Sequence, residues 1–347
     1  MRSTQLLGLV DALLCASICA CACASAGAPL PEGAGQPPPP PQDGASVSGD
    51  GFTRVDTSFV SGGLRCAAWL YLPEGVERPP VVVFAHGLSG QREMAFPRYA
   101  ERLARAGMAS LLFDYRYWGA SEGEPRFWTD AWKQLADLEA AIAFARSLPQ
   151  VDGARVALFG TSFGGGHVVM AAARDHWLSA VIAQVPGLDP RTEHEHPPAG
   201  ALWDMVRAAF RDKWLGELFG GERTYIKVMG AEDEAAVLTG PDALEARETM
   251  LSEGNGWPNR VTAGLMLDAG EYAPIDEVHK VQSPLLVVVA EKDRYAAPSA
   301  AHRAAKLAPY GEVHSVDLGH FEVYDGEGFE MVIGAETEFL RKNFGLR

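Results

Sequence analysis

Cysteine is almost absent from most of this 347-residue chain. Four of its five cysteines lie within the first 23 residues, and Cys66 is the one that remains beyond them. If the leader is removed, a disulfide framework is excluded, because no second thiol is left for Cys66. Its position in a strand-like segment instead predicts a small, buried apolar side chain.

Basic residues are also scarce. Lys and Arg total 30 against 45 for Asp and Glu, which gives a formal net charge of −15. Because the acidic residues are spread along the chain, this charge predicts a solvated acidic surface. Nucleic acid is not expected as a partner, since its binding depends on basic patches.

A long, uninterrupted apolar run is missing as well. The amino-terminal apolar segment is too short, and too interrupted by Asp11, to predict a membrane span. Residues 1–26 are instead typical of an export signal, and residues 18–21 resemble a lipoprotein processing box in which Cys21 would carry the lipid. We therefore expect an exported, extracytoplasmic protein, with lipid anchoring to a bacterial envelope and free secretion both left open.

Residues 27–51 follow the leader and include five consecutive prolines at 37–41. This composition has little to bury and predicts an extended linker. The remaining residues, 52–347, are enough for one large hydrophobic core, and 47% of the whole chain is hydrophobic.

Within residues 52–347, apolar strand-like segments alternate with amphipathic helix-like segments. This alternation predicts one α/β domain with a mostly parallel sheet that helices flank on both faces. The first two strands, at 52–60 and 64–72, are expected to form an antiparallel hairpin. The alternation stops between about residues 187 and 275, where we expect a helical cap insertion over the site.

The most informative segment is Gly160-Thr161-Ser162-Phe163-Gly164. A strand-like run precedes it and a helix-like run follows it, which is the context of a nucleophile elbow. The serine of such a turn has a strained backbone, and the residues two positions away must be small so that strand and helix can approach each other. The pattern predicts that Ser162 is a catalytic nucleophile.

Two candidate partners for Ser162 lie downstream. Asp293 follows a strand-like run, and His320 lies in the loop between a short strand and the last helix. The order Ser, Asp, His is that of a hydrolase triad, in which His320 would accept the serine proton and Asp293 would fix the histidine tautomer. Glu291 and Asp317 are rival acids, but Glu291 lies too early in its turn and Asp317 too close to His320.

A serine hydrolase also needs two donors for the negative oxygen that develops during the reaction. The backbone N–H of Phe163, directly after the nucleophile, is one candidate. The N–H of Leu88 is the other, because the strand-like run Val81–Ala85 leads into His86-Gly87-Leu88 and Gly87 allows a sharp turn. Phe163 and Leu88 are therefore the expected oxyanion hole.

Neither a metal nor a cofactor is expected. His194-Glu195-His196 is a weak metal motif with no apparent distant ligand, and the prolines after it indicate a loop. His167, five residues after the nucleophile, is expected to pack beneath the site rather than to act in catalysis. Aromatic residues of the cap are candidates for the pocket lining: Trp203, Trp214, Phe219, Tyr225, Trp257 and Tyr272.

Taken together, these residues resemble the α/β-hydrolase superfamily over roughly residues 52–346. The resemblance rests on His86-Gly87, the turn motif at 114–123, the elbow, Asp293 and His320. Within the superfamily, the chain is similar to bacterial serine hydrolases of the S33/S15-like and dienelactone-hydrolase-like branches, and to fungal thiohydrolase and polyketide-tailoring relatives. The resemblance implies the fold and a mechanism without a cofactor, whereas the branches differ widely in substrate.

These observations predict a serine hydrolase that cleaves a carboxylic ester or thioester of a small-molecule acyl substrate through an acyl-enzyme. Two alternatives stay open: a peptidase of the same fold, of aminopeptidase or Xaa-Pro type, and a non-catalytic envelope binding protein on a hydrolase scaffold. A peptidase would need an anchor for the peptide amino terminus. Glu232, Asp233 and Glu234 are the candidates for this anchor in the cap.

Overall fold

The described part of the chain centres on a nine-stranded sheet. The computed structural model describes residues 43–192, 197–252 and 257–346, so the leader, the linker as far as residue 42 and the motif at 194–196 lie outside it. The strands in chain order are β1 (Ser46–Gly49), β2 (Phe52–Ser61), β3 (Leu64–Pro73), β4 (Val81–Ala85), β5 (Ala109–Phe113), β6 (Val156–Thr161), β7 (Ala180–Gln184), β8 (Tyr225–Gly230), β9 (Ala236–Thr239), β10 (Arg260–Thr262), β11 (Leu285–Ala290) and β12 (Gly311–Val316).

The main sheet has the strand order β1-β2-β3-β5-β4-β6-β7-β11-β12. Strands β1 to β3 are antiparallel, as predicted for the opening hairpin, and β3 is antiparallel to β5. Every later neighbouring pair is parallel, with Val83 of β4 beside Leu158 of β6. The carboxyl ends of the parallel strands therefore meet along one edge, where α/β sheets bind their ligands.

Strand β1 lies inside the segment that the sequence predicts as linker. Ser46 pairs with Val55 of β2, so the ordered sheet begins before residue 52. The side chains of β1 are mostly exposed. Backbone hydrogen bonds hold this strand, and its composition therefore gives little sign of it.

Helices cover both faces of the sheet. The helices in chain order are α1 (Phe96–Arg105), α2 (Ala131–Ser147), α3 (Phe163–Ala172), α4 (Ala199–Arg211), α5 (Pro241–Ser252), α6 (Leu265–Asp268), α7 (Pro298–Leu307) and α8 (Gly326–Phe344), of which α4 to α6 belong to the segment between β7 and β11. Helices α2, α3 and α7 contribute to the core on one face, and α1 and α8 to the core on the other. The parallel strands other than the edge strand β12 are thus buried on both sides, which explains their continuous apolar sequences.

Local signals fix the ends of two of these helices. The side chain of Asp130 accepts hydrogen bonds from the N–H groups of Trp132 and Lys133 at the start of α2. Helix α8 ends at Gly345, whose φ of 67° suits a residue without a Cβ atom. In the part of the chain that the structure describes, no helix is both long and apolar enough to cross a membrane.

The segment between β7 and β11 forms the cap. Helix α4 continues into a π-helical stretch at Asp212–Leu218, and α5 and α6 follow. The described residues of the cap also form a three-stranded sheet in the order β10-β8-β9, which a purely helical prediction omits. In β8, Ile226 and Val228 are buried and Lys227 is exposed. This alternation spans too few residues to stand out in the sequence.

Candidate active site

The nucleophile elbow joins β6 to α3. Ser162 has φ 53° and ψ −123°, and α3 begins at the next residue. A Cβ atom at Gly160 would collide with the carbonyl oxygen of Gly164, and a Cβ at Gly164 would collide with the carbonyl oxygen of Ala85. Both glycines are therefore required by the close approach of strand and helix, which is the reason for their spacing around the serine.

Three side chains from separate loops form one hydrogen-bonded line. His320 Nε2 lies 3.1 Å from Ser162 Oγ, and His320 Nδ1 lies 2.6 Å from Asp293 Oδ2. Asp293 follows β11 and His320 follows β12, so both lie at the carboxyl edge of the sheet. His320 and Asp293 are buried. This is the geometry in which an imidazole can take a proton from a serine hydroxyl.

The second oxygen of Asp293 is fixed by its own loop. Oδ1 accepts hydrogen bonds from the backbone N–H groups of Tyr295 and Ala296, each at 2.8 Å. The carboxylate therefore cannot turn away from His320 without losing both bonds. The ring of Tyr295 also packs edge-on against His320, with 5.6 Å between the ring centroids.

The two rival acids are engaged elsewhere. Glu291 accepts a hydrogen bond from Ser315 at 2.7 Å, and its Oε1 lies 2.9 Å from His302 Nε2. Asp317 forms an exposed ion pair with Lys292 at 2.8 Å. Asp293 is thus the carboxylate that the structure brings to His320.

The two proposed oxyanion donors belong to segments next to the serine. Phe163 opens α3, and Leu88 belongs to a turn closed by the N–H of Gly90 and the carbonyl of Gly87 at 3.1 Å. A Cβ at Gly87 would lie only 3.0 Å from the Cβ of Ser162, so this turn passes close to the nucleophile. Among the described residues, neither the Leu88 nor the Phe163 N–H donates to a carbonyl, which leaves both for a ligand oxygen.

The turn motif at 114–123 supports the loop that carries Leu88. Asp114 Oδ1 accepts from the N–H of Arg92 at 2.8 Å, and Asp114 Oδ2 accepts from the N–H of Ala120 at 3.0 Å. The guanidinium of Arg92 is buried against the ring of Trp69, 4.6 Å from the centroid. The sequence does not predict the buried position of Arg92, because nothing in its local sequence distinguishes it from a surface arginine.

His86 has a structural place beside the same loop. Its Nε2 lies 3.1 Å from the carbonyl oxygen of Phe113, and its ring packs edge-on against Tyr115. Burial lowers the pKa of His86, so the ring is neutral near pH 7. His86 therefore packs under the loop as a neutral ring.

A small cavity adjoins Ser162 and opens into a wider cleft. The cavity, of about 60 Å³, extends from the Leu88 loop to Met229 and Leu238 of the cap. The cleft, of about 550 Å³, shares His320 and Phe321 with the cavity and is otherwise lined largely by charged side chains. A substrate could thus place a small apolar group beside Ser162 and a larger polar group on the His320 side.

The cap aromatics differ in their surroundings. Tyr272 lines a separate cavity of about 160 Å³ next to Phe163. Trp257 is buried, and its Nε1 donates to the carbonyl oxygen of Ser89 at 2.9 Å. Tyr225 binds the carbonyl oxygen of Arg126. The remaining candidates are largely exposed, contrary to their expected place in the lining: Trp203, Trp214 and Phe219.

Solved structures with the same architecture are α/β-hydrolases. The α/β-hydrolase GrgF from Penicillium sp. sh18 has a TM-score of 0.72 and 23% sequence identity, covering 84% of this chain and 99% of that chain. The complex of DcsB with its substrate analogue has a TM-score of 0.71 and 26% identity, covering 83% and 99%. The predicted α/β-hydrolase fold is therefore confirmed.

Sequence comparisons agree with the fold. The quorum-quenching protein AidA of Acinetobacter baumannii (strain MDR-ZJ06) is 38% identical over 288 residues, 83% of this chain and 94% of that protein. Thiohydrolase apmlB of Arthrinium phaeospermum is 28% identical over 298 residues, 82% of this chain and 95% of that protein. A family model described as serine aminopeptidase, S33, matches residues 77–319. The chain therefore belongs to the S33 family of α/β-hydrolases.

Proposed function

We propose that the protein is a serine hydrolase that cleaves a carboxylic ester or thioester through an acyl-enzyme. The observation that carries the proposal is the hydrogen-bonded line from Ser162 through His320 to Asp293. The backbone N–H groups of Leu88 and Phe163, from two segments next to Ser162, are the oxyanion donors in this proposal. Nucleophile, base, orienting acid and oxyanion donors are the parts that acyl transfer requires.

In the first half-reaction, Ser162 Oγ bonds to the carbonyl carbon while its proton passes to Nε2 of His320. The carbonyl oxygen receives the electron pair of the broken π bond and is stabilised by the N–H groups of Leu88 and Phe163. When the tetrahedral intermediate collapses, the bond to the alcohol or thiol breaks, and His320 gives that group its proton. Water then repeats these steps on the acyl-serine and releases the acid.

The names of two relatives bear on the substrate class. One similar protein is called a thiohydrolase, which supports a thioester substrate. Another is called a quorum-quenching protein, which supports a small-molecule substrate. The proposed substrate class therefore includes both carboxylic esters and thioesters of small molecules.

A peptidase is less well supported, although the family model carries a peptidase description. The three acids considered as an anchor for a peptide amino terminus are Glu232, Asp233 and Glu234. Glu234 is paired with Lys227, Glu232 lies 3.9 Å from Arg294, and Asp233 is exposed. Solvated and paired acids give an ammonium group little binding energy.

The test is a panel of p-nitrophenyl esters, acyl thioesters and amino-acyl anilides assayed on the purified protein. We expect hydrolysis of the esters and thioesters, with the anilides far slower. Ser162→Ala should reduce kcat by several orders of magnitude and abolish labelling by a fluorophosphonate probe. Ser147→Ala, at an exposed serine of α2, is the matched control and should behave as wild type.

Other results would point to the alternatives. Ester hydrolysis that survives Ser162→Ala would refute the assignment of the nucleophile. Anilides hydrolysed faster than esters would favour the peptidase. A folded wild-type protein that neither turns over any of the three substrates nor reacts with the probe would favour the binding protein.

We also propose that the chain is exported by a signal within residues 1–26, with two alternatives: processing before Cys21 with lipid attachment to it, or removal of the whole leader and free secretion. The full-length chain should be expressed in a bacterial host and partitioned with detergent. If Cys21 is lipidated, the wild-type protein should partition into the detergent phase, and the Cys21→Ser variant should stay in the aqueous phase. Processed protein in the culture medium would indicate free secretion instead, and unprocessed protein in the cytoplasm would contradict export.

A further inference from the structure

The cap contacts the loop that carries Leu88 through one buried hydrogen bond. Leu88 and Ser89 are the central residues of the turn that Gly87 and Gly90 close. Ser89 has a φ of 59°, a left-handed conformation that costs a serine free energy unless its surroundings hold it. The Nε1 of Trp257 donates to the carbonyl oxygen of Ser89 at 2.9 Å. Because the Leu88 N–H belongs to the same turn, this bond fixes its direction.

A second contact from the cap supports Phe163, whose N–H is the other proposed oxyanion donor. His167 is buried one helical turn after Phe163, and their rings pack edge-on with centroids 4.6 Å apart. His167 Nε2 faces the Oε1 of Gln134 at 3.1 Å and therefore donates to it. Nδ1 is then the acceptor for the hydroxyl of Tyr272 at 2.6 Å. Tyr272 thus holds the ring on which Phe163 rests.

The neutral state of His167 keeps this second contact in place. Burial, assisted by the nearby ring of His86, lowers the pKa of His167 to about 3. Near neutral pH, Nδ1 therefore has a free electron pair to accept from Tyr272. The ring of Tyr272 also lies 5.9 Å from that of Phe163, centroid to centroid, so the three rings form one packed unit.

We propose that Trp257 and Tyr272 are positioning residues through which the seated cap fixes the oxyanion hole. Each acts on one donor, Trp257 on the Leu88 turn and Tyr272 on the Phe163 end of α3. The inference rests on the proposed function, since an oxyanion hole matters only if Ser162 attacks a carbonyl. Without these two contacts, the N–H groups would be less well aimed at the developing oxyanion.

The test uses Trp257→Phe and Tyr272→Phe, which remove one polar group each and keep an aromatic ring. We expect kcat to fall about tenfold in each variant, with KM near the wild-type value. This loss is smaller than the ~100- to 1,000-fold loss of kcat that follows removal of a whole oxyanion donor, because each N–H would still be present. The inhibition constant of a trifluoromethyl ketone should rise by the same factor, because its adduct with Ser162 carries an oxyanion. A ground-state analogue with a methylene in place of the carbonyl should bind unchanged.

Tyr225→Phe is the matched control. Its hydroxyl also bonds across from the cap to the body, to the carbonyl oxygen of Arg126 at 3.1 Å, and it does not touch either oxyanion loop. This variant should keep the wild-type kcat and inhibition constant. An equal loss in Tyr225→Phe would mean that any loosening of the cap has the same effect, and the specific roles of Trp257 and Tyr272 would be wrong.

The proposal would be overturned if both test variants kept the wild-type kcat and inhibition constant. It would also be overturned if only KM rose, because that would mean that the two residues contact the substrate in its ground state. Circular dichroism reports folding. If only one of the two variants folds, its kinetics decide whether the inference holds. If neither variant folds, the two hydrogen bonds are needed for stability and the inference is wrong. A failure of the proposed function looks different: hydrolysis would persist in Ser162→Ala, or the ketone would not bind wild type.

Discussion

The carboxylate of Asp293 has two roles, and a single substitution can remove one while it keeps the other. Its Oδ1 holds the loop through Tyr295 and Ala296, and its Oδ2 faces His320. In Asp293→Asn, the amide oxygen still serves the loop while the amide nitrogen presents hydrogens to Nδ1. That favours the wrong tautomer of His320, and we expect kcat for ester hydrolysis to fall by about 10⁴-fold with the fold intact.

Glu291→Gln is the control for this prediction, measured in the same steady-state assay. Glu291 is the nearest rival acid in sequence and bonds to Ser315 and His302 rather than to the triad. Its substitution should leave kcat near the wild-type value. Comparable losses in the two variants would contradict the assignment of Asp293.

Glu336 is a buried carboxyl group that catalysis does not use. It is fully buried in α8, and neither oxygen has a hydrogen-bond partner among the described residues. Burial raises its pKa well above the usual value. Above about pH 4.3 the unfolded chain ionises this group while the folded chain keeps the proton, so its contribution to stability falls as the pH rises.

We therefore expect Glu336→Leu to raise the free energy of unfolding at pH 7 by about 1–3 kcal/mol. The gain should shrink as the pH falls towards 4, because both states of the wild type are then protonated. Urea unfolding between pH 4 and 8 measures it. Glu338→Leu, at an exposed position of the same helix, should show no such pH-dependent gain.

At the scale of single residues, the sequence predicts those groups whose role is tied to chain order or to a short motif. Ser162 is marked by its glycines, and Asp293 and His320 follow strands in the order that hydrolases use. Partners that act through long-range contacts carry no such mark. Trp257 reaches Ser89 across 168 positions, and no local pattern around either residue indicates this contact.

Among the elements, the elbow depends on glycine for lack of space rather than for flexibility. A methyl group at Gly164 would collide with the carbonyl oxygen of Ala85 in β4. Gly164→Ala should therefore lower the free energy of unfolding by about 1–3 kcal/mol, as overpacking does elsewhere. Activity should fall with it, because α3 carries Phe163.

Gly334→Ala is the matched control in a helix with room for the methyl group. No atom lies within 4 Å of a Cβ built at Gly334, which is exposed in the middle of α8. It should raise stability by about 0.5–1 kcal/mol. Thermal unfolding of both variants compares them, and a stabilised Gly164→Ala would contradict the packing of the elbow.

The elements of the body and two helices of the cap, Ala199–Arg211 and Pro241–Ser252, were predictable to within a few residues, whereas the strands of the cap were not. Strands such as β4 and β11 are continuous apolar runs because helices cover both of their faces. In the cap, β10 has three residues and β9 has four, so their pairing with β8 rather than their sequence makes them strands. The prediction of a helical cap omitted these strands for that reason.

Considering the whole molecule, the cap sets the size of the group that fits beside Ser162. Leu238 and Met229 of the cap line a cavity of about 60 Å³ there, so we expect short acyl groups to be preferred. Leu238→Ala should raise the ratio of kcat/KM for octanoyl over acetyl p-nitrophenyl esters by about tenfold, since each methylene that a pocket admits is worth 10- to 200-fold at most.

Val237→Ala is the control for this change in chain-length preference. Val237 neighbours Leu238 in β9, where successive side chains point to opposite faces, and it does not line the cavity. It should leave the ratio unchanged. A wild-type ratio in Leu238→Ala would show that the acyl group binds elsewhere, for example in the cavity beside Tyr272.

The width of the cleft beside His320 has a kinetic consequence. Once the first product has diffused out, bulk solvent can refill this opening and reach the imidazole without any rearrangement of the cap. Deacylation then needs no cap movement to admit its nucleophile, and another small nucleophile in the solvent can compete with water for the acyl-serine. Hydrolysis of an activated ester in the presence of methanol should therefore yield methyl ester beside free acid, in proportion to the methanol concentration, and free acid alone would show that the cleft does not admit this nucleophile.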